Sequence, residues 1–101
     1  MNLLSITEQM YMTAILCLGE NAYGVKIREK VIELTGKTMV FGTLYNNLDQ
    51  LVRKGYVITR KDKTNTDSKK VFYSVTDAGK NALQECRVLQ ESLWSALPEK
   101  A

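Results

Sequence analysis

At 101 residues with a formal net charge of +3, the chain is sized for one small domain with one modest core, since a domain of this length buries about two-thirds of its unfolded surface. Hydrophobic residues make up 45% and charged residues 25%, and no run of about 18 apolar residues could span a bilayer. The start, MNLLSITEQM, lacks both the basic and the long apolar region of a signal peptide, so a soluble cytoplasmic protein with no membrane partner is expected.

The chain has no histidine, so the commonest general base near neutral pH is missing. Cys17 and Cys86 form no CxxC pair and have no histidine to join them around a metal, which leaves them as reduced, buried small hydrophobes, with a redox-sensing thiol as the alternative. No GxSxG, P-loop or GxGxxG occurs. A binding protein without cofactor or metal is therefore expected ahead of an enzyme.

Ser5-Ile6-Thr7-Glu8 has the capping-box pattern and opens a helix that runs to about Gly19. Its apolar stripe is Ile6, Met10, Ala14, Cys17 and Leu18, widened by Tyr11 and Ile15. After a break at Gly19-Glu20-Asn21, the spacing of Tyr23, Ile27, Val31 and Leu34 predicts a second helix, with Gly36 as its terminating glycine. A short connection, residues 37–40, leads to a third helix over about 41–54, which stops at Gly55 with Arg53 and Lys54 in its last turn.

From residue 56 the period changes to two. Residues 56–61 and 71–75 read as strands joined through the turn residues Asn65-Thr66-Asp67-Ser68. Thr76 is the expected N-cap of a last helix reaching about Leu97, just before Pro98. Three helices, a hairpin and a helix give an α+β, mainly α class. The architecture is a winged helix-turn-helix over residues 1–76 followed by a C-terminal dimerisation helix, 77–101.

On the third helix Leu44, Leu48 and Leu51 fall on one side with Phe41 and Val52 beside them, so that side faces the core. Thr43, Asn46, Gln50 and Arg53 collect on the opposite side. Asparagine or glutamine can pair with adenine and arginine with guanine in a major groove, whereas a plain solvated face is the ordinary use of such a surface. Two adjacent asparagines favour the reading of function, because asparagine is a mediocre helix former. Tyr45 borders the stripe, where it can pack its ring and send its hydroxyl to a phosphate.

Residues 53–70 carry seven cations against two carboxylates, a net +5 that leaves −2 for the rest of the chain. Arg60, Lys61, Lys63, Lys69 and Lys70 fit a wing lying along a phosphate backbone of double-stranded DNA or reaching its minor groove. Protection of an exposed hairpin edge by lysine is the alternative. On the last helix Ala82, Cys86, Leu89, Leu93 and Leu97 form a stripe flanked by Leu83 and Trp94. About twenty residues span roughly 30 Å, as long as the domain itself, so this stripe is expected to meet a second copy rather than fold back on its own domain.

Tyr23-Gly24, Gly42-Thr43-Leu44-Tyr45, Leu48, Leu51, Lys54-Gly55-Tyr56-Val57 and the run Lys70-Val71-Phe72-Tyr73-Ser74-Val75-Thr76-Asp77-Ala78-Gly79 together resemble the PadR family of bacterial transcriptional regulators. The resemblance covers about residues 10–85 and fits the compact branch with a single C-terminal helix. It implies a homodimeric repressor on an inverted-repeat operator, with release by a small aromatic or phenolic ligand. Met10, Tyr11 and Trp94 could line the ligand's pocket, dimer packing being their plainer use. Val40-Phe41 stands where the family often has Ser-Pro, and Thr66-Asp67-Ser68 where it often has Gly-Arg-Pro. A winged-helix module that binds another protein, without specific DNA binding, is the alternative function.

Overall fold

The computed structural model describes residues 3–61 and 70–99. Helix α1 (Ile6–Leu18) is followed by a single 3-10 turn (Gly19–Asn21), α2 (Gly24–Thr35), α3 (Phe41–Arg53), strands β1 (Val57–Lys61) and β2 (Val71–Val75), and α4 (Asp77–Ala96). This is a mainly helical winged helix-turn-helix with an added C-terminal helix. Among the described residues no helix is long and apolar enough to cross a membrane, and no cluster of three or more histidine, cysteine, aspartate or glutamate residues is suited to a metal ion.

The boundaries follow from local chemistry. Ser5 caps α1: its hydroxyl accepts from the Glu8 amide at 3.1 Å, and the Glu8 carboxylate accepts from the Ser5 amide at 2.9 Å. Gly36 ends α2 at φ 72, a conformation that costs any residue with a Cβ. The strands pair antiparallel with Val57 opposite Val75 and Lys61 opposite Val71. On the other edge of β2, the Tyr73 amide donates to the Ala22 carbonyl at 2.8 Å and Tyr23 bridges Phe72, so the segment before α2 extends the sheet.

Thr76 ties the wing to the helices on both sides of it. Its hydroxyl donates to the Gly55 carbonyl at 2.7 Å and accepts from the Gly79 amide at 3.1 Å, while its own amide donates to the Tyr56 carbonyl at 2.9 Å. The chain leaving α3 and the chain entering α4 are thus held together by one residue. Every helix and both strands feed one core, in which Met12, Ile15, Ile27, Val31, Leu44, Leu48, Leu51 and Val57 are fully enclosed. The three leucines of α3 leave that helix a single way to face.

Four expectations from the helical patterns need correction. In α1, Ile6 is 62% exposed and Cys17 is exposed, whereas Met12, outside the expected stripe, is sealed. This helix packs against α2, α3 and β2 and is apolar nearly all round, so spacing alone could not choose its inner face. Leu34 of α2 and Phe41 of α3 are half exposed, because each sits in a terminal turn beyond the reach of the core. On α4, Ala82 and Cys86 belong to the core of their own domain; only Leu89, Leu93 and Leu97 of the expected dimer stripe are exposed, joined by Val88 and Trp94. The helix outruns the core after about three turns.

Glu8 also accepts from the Lys54 ammonium at 2.7 Å, linking the start of α1 to the residue that caps α3. Burial pushes the Glu8 carboxyl up, but Lys54 and the two Ser5 donors outweigh it and hold it below the usual carboxylate value. A depressed carboxylate stabilises the fold above its unfolded pKa and loses that contribution as pH falls through its folded value. Glu8→Gln should therefore cost about 1 kcal/mol at neutral pH. Its melting curve should converge with that of the parent as pH is lowered from 7 towards 3.

Candidate nucleic-acid interface

Helix α3 separates a buried apolar side from an exposed polar one. Leu44, Leu48 and Leu51 are 0%, 0% and 1% exposed, and the opposite side carries Thr43, Asn46, Gln50 and Arg53, all exposed. Among the described residues none of these four side chains makes a hydrogen bond or ion pair, so their donors and acceptors are available to a partner. The adjacent asparagines differ. Asn47 turns inward and donates to the Tyr11 hydroxyl at 3.3 Å, while that hydroxyl donates to the Met39 sulfur at 2.7 Å. Of the pair, only Asn46 is exposed with its amide unengaged among the described residues.

Beside this face, α2, α3 and β2 enclose an open cleft of about 480 Å³ lined by Tyr23, Gly24, Val25, Tyr45, Lys70, Val71 and Tyr73. The Tyr45 hydroxyl lies directly on Gly24, so any Cβ there would collide with it and with the ring at 2.8 Å. Tyr73 is 6% exposed, and its hydroxyl makes no hydrogen bond among the described residues. Burial, with the nearby Asp49 carboxylate and Tyr45, raises the Tyr73 phenol above its ordinary value, so it stays protonated and able to donate at neutral pH. The first-turn amides of α2 open beside Tyr23 without a side-chain cap. Three phenols, a lysine and a helix N-terminus together suit an oxyanion such as a backbone phosphate.

Sequence reading singled out Tyr45 and Lys70 but not their companions. Tyr23 and Tyr73 are fifty residues apart in sequence and are brought together by the edge pairing at β2; the local signals were the Tyr23-Gly24 pair and the run from Lys70 to Gly79 that holds Tyr73. The basic residues at the base of the wing are held against aromatic rings. The Arg60 guanidinium lies 4.8 Å from the Phe72 ring centre and the Lys70 ammonium 4.6 Å from that of Tyr23, with those two rings edge-to-face at 5.6 Å. Lys61 is exposed at the end of β1. Lys63, Lys69 and the turn at 65–68 lie outside the described residues.

The residues considered for an aromatic effector are not gathered. Tyr11 is 2% exposed, Met10 packs half-buried against the core, and Trp94 is 71% exposed near the end of α4. The groove between α1 and α4, about 440 Å³, is lined instead by Gln9, Thr13, Leu16, Lys80, Leu83, Gln84, Arg87 and Gln90. Across it the Gln90 amide donates to the Gln9 side-chain oxygen at 3.0 Å, and from residue 91 to 99 every residue of the chain is exposed. The molecule measures 55 × 27 × 21 Å, with twenty residues in α4 alone.

No curated protein sequence matches the chain. Among solved structures, a complex of the Halobacterium salinarum regulator RosR superposes with a TM-score of 0.74 at 28% identity, covering 93% of this chain and 79% of that one. The fold is shared with Bacillus subtilis PadR, solved with operator DNA, at a TM-score of 0.68 and 20% identity over 95% of this chain and 64% of that one. It is shared too with a MarR variant from E. coli, solved with operator DNA, at 0.67 and 21% over 96% and 66%. The family model for PadR-like transcriptional regulators matches residues 14–85, so the chain belongs to the PadR-like family of transcriptional regulators, and its work is the control of transcription rather than catalysis.

Proposed function

We propose that the protein is a homodimeric repressor that binds an inverted-repeat operator in double-stranded DNA, with α3 in the major groove. The observation that carries this reading is the split of α3. Four unengaged polar side chains, Thr43, Asn46, Gln50 and Arg53, stand opposite three leucines that fix the helix to the core. The cleft beside them would hold a backbone phosphate through Tyr45, Tyr73 and the α2 amides, and Arg60, Lys61 and Lys70 at the base of the wing add positive charge for the same backbone, with Lys63 and Lys69 supplying further cations in the sequence between the strands. Such contacts give affinity and orientation without sequence information.

Dimerisation uses the part of α4 that its own domain does not cover, Val88, Leu89, Leu93, Trp94 and Leu97. A twofold axis there sets two copies of α3 roughly 34 Å apart, one turn of the duplex. An aromatic effector is proposed to stack on Trp94 alone, since Tyr11 is closed off in the core.

The test is selection from a random DNA pool followed by a salt titration. Recovered sequences should share two half-sites in inverted orientation about one turn apart. Log affinity for them should fall linearly with log salt, with a slope of about −0.9 per phosphate neutralised. A pool that returns no common sequence would remove this reading in favour of a module that binds another protein.

A further inference from the structure

The entrance to α3 breaks three local rules at once. Val40 is its N-cap, a position that valine fills poorly because it offers no oxygen to the free amides, and no side chain caps the helix there. Val40 is nevertheless 70% exposed, and the next residue, Phe41, is 44% exposed. Gly42 follows inside the first turn, where it weakens a helix, yet a Cβ at that position would meet nothing within 4 Å. Neither Val40 nor Gly42 strengthens the start of the helix, and Phe41 leaves much of its ring in solvent. Local rules fail in this way where the surface is shaped for something outside the chain.

The aromatic residue here is held in place. The Arg28 guanidinium lies 5.0 Å from the Phe41 ring centre, and its Nε donates to the Met39 carbonyl at 2.7 Å, which pins the arginine. On its other side Phe41 stacks on Tyr45, with centres 6.4 Å apart and planes at 24°. The result is a fixed apolar tip, continuous with Thr43 and the polar face behind it.

We infer that Val40 and Phe41 form a contact for thymine, covering the C5-methyl groups of thymines at one or two positions in each operator half-site. This rests on the proposed seating of α3 in the major groove. The first residues of a recognition helix are those that approach base edges. Of the groups the four base pairs display there, the thymine methyl is the one apolar group, so it is the natural complement of an apolar tip. Gly42, lacking a side chain, lets the backbone come close enough for that contact.

Operators carrying deoxyuridine in place of each thymidine in turn remove single methyls and leave pairing unchanged. The unaltered protein should bind about fourfold more weakly at one or two positions per half-site, the loss that one buried methyl implies. Val40→Ser should shrink that difference to less than twofold while melting at the same or a higher temperature, because serine restores an N-cap. Phe41→Ala should shrink it likewise. Equal binding of thymidine and deoxyuridine operators at every position, on a site bound specifically, overturns the inference and leaves the reading face intact. A difference that persists in both variants also overturns it. If no operator is bound specifically, the proposed function falls and the inference with it.

Discussion

Gly79→Ala is expected to lower stability by about 3 kcal/mol, a fall of roughly 12–24 °C in melting temperature for a domain of this size. The cause is a crowded junction. A Cβ on Gly79 would strike the Tyr56 carbonyl oxygen and meet Val75 Cγ1 at 2.7 Å and Met12 Cε at 3.0 Å. The carbonyl cannot swing aside, because it accepts from the Thr76 amide at 2.9 Å as part of the link between wing, α3 and α4. Gly42→Ala provides the contrast. The same substitution in open space should stabilise α3 by about 0.5–1 kcal/mol. Thermal melts of the two variants should move in opposite directions, and a Gly79→Ala protein that melts like its parent would disprove the packing described for α4.

Leu93→Asp is expected to separate the proposed dimer and to lower affinity for a complete operator by about 100-fold or more, because two tethered half-site contacts become one. Leu93 is 61% exposed in the single chain, so a charge there costs little on its own, but it would lie in the middle of a seam also built from Leu89, Trp94 and Leu97. Sedimentation should show a monomer whose melting temperature is close to that of the dilute parent. A variant that still sediments as a dimer would place the interface elsewhere.

Much of the fold could be read from the residues because its signals are local. The capping box at Ser5, the glycine after α2 and the Thr76 cap each depend on chemistry within four residues, and β2 shows in its own run of β-branched and aromatic residues. Helix α3 was legible for a different reason: its leucines and its amides are sorted onto opposite sides. Helix α1 was not, since its apolar residues are spread over every side of the helix and it packs against several neighbours, which gives no contrast from which to choose a face. The stripe on α4 was continuous in sequence but is divided in space, with Ala82 and Cys86 inside and the rest outside, at a point set by where the core ends. Nothing in a spacing pattern marks that point.

The cleft at Gly24 was hidden in the same way. It depends on Tyr45 lying over a glycine in α2 and on Tyr73 arriving from β2, contacts between segments distant in sequence. Asn46 and Asn47 show the limit most plainly. They are identical residues side by side, yet a rotation of about 100° along the helix sends one to solvent and the other to the Tyr11 hydroxyl.

That division supplies the most direct measurement. On an operator recovered by selection and on a scrambled duplex of the same length, Asn46→Ala should lose about 1–3 kcal/mol of binding on the first and almost nothing on the second. Equal losses on both duplexes, or none on either, would contradict the claim that the outer face of α3 reads DNA sequence.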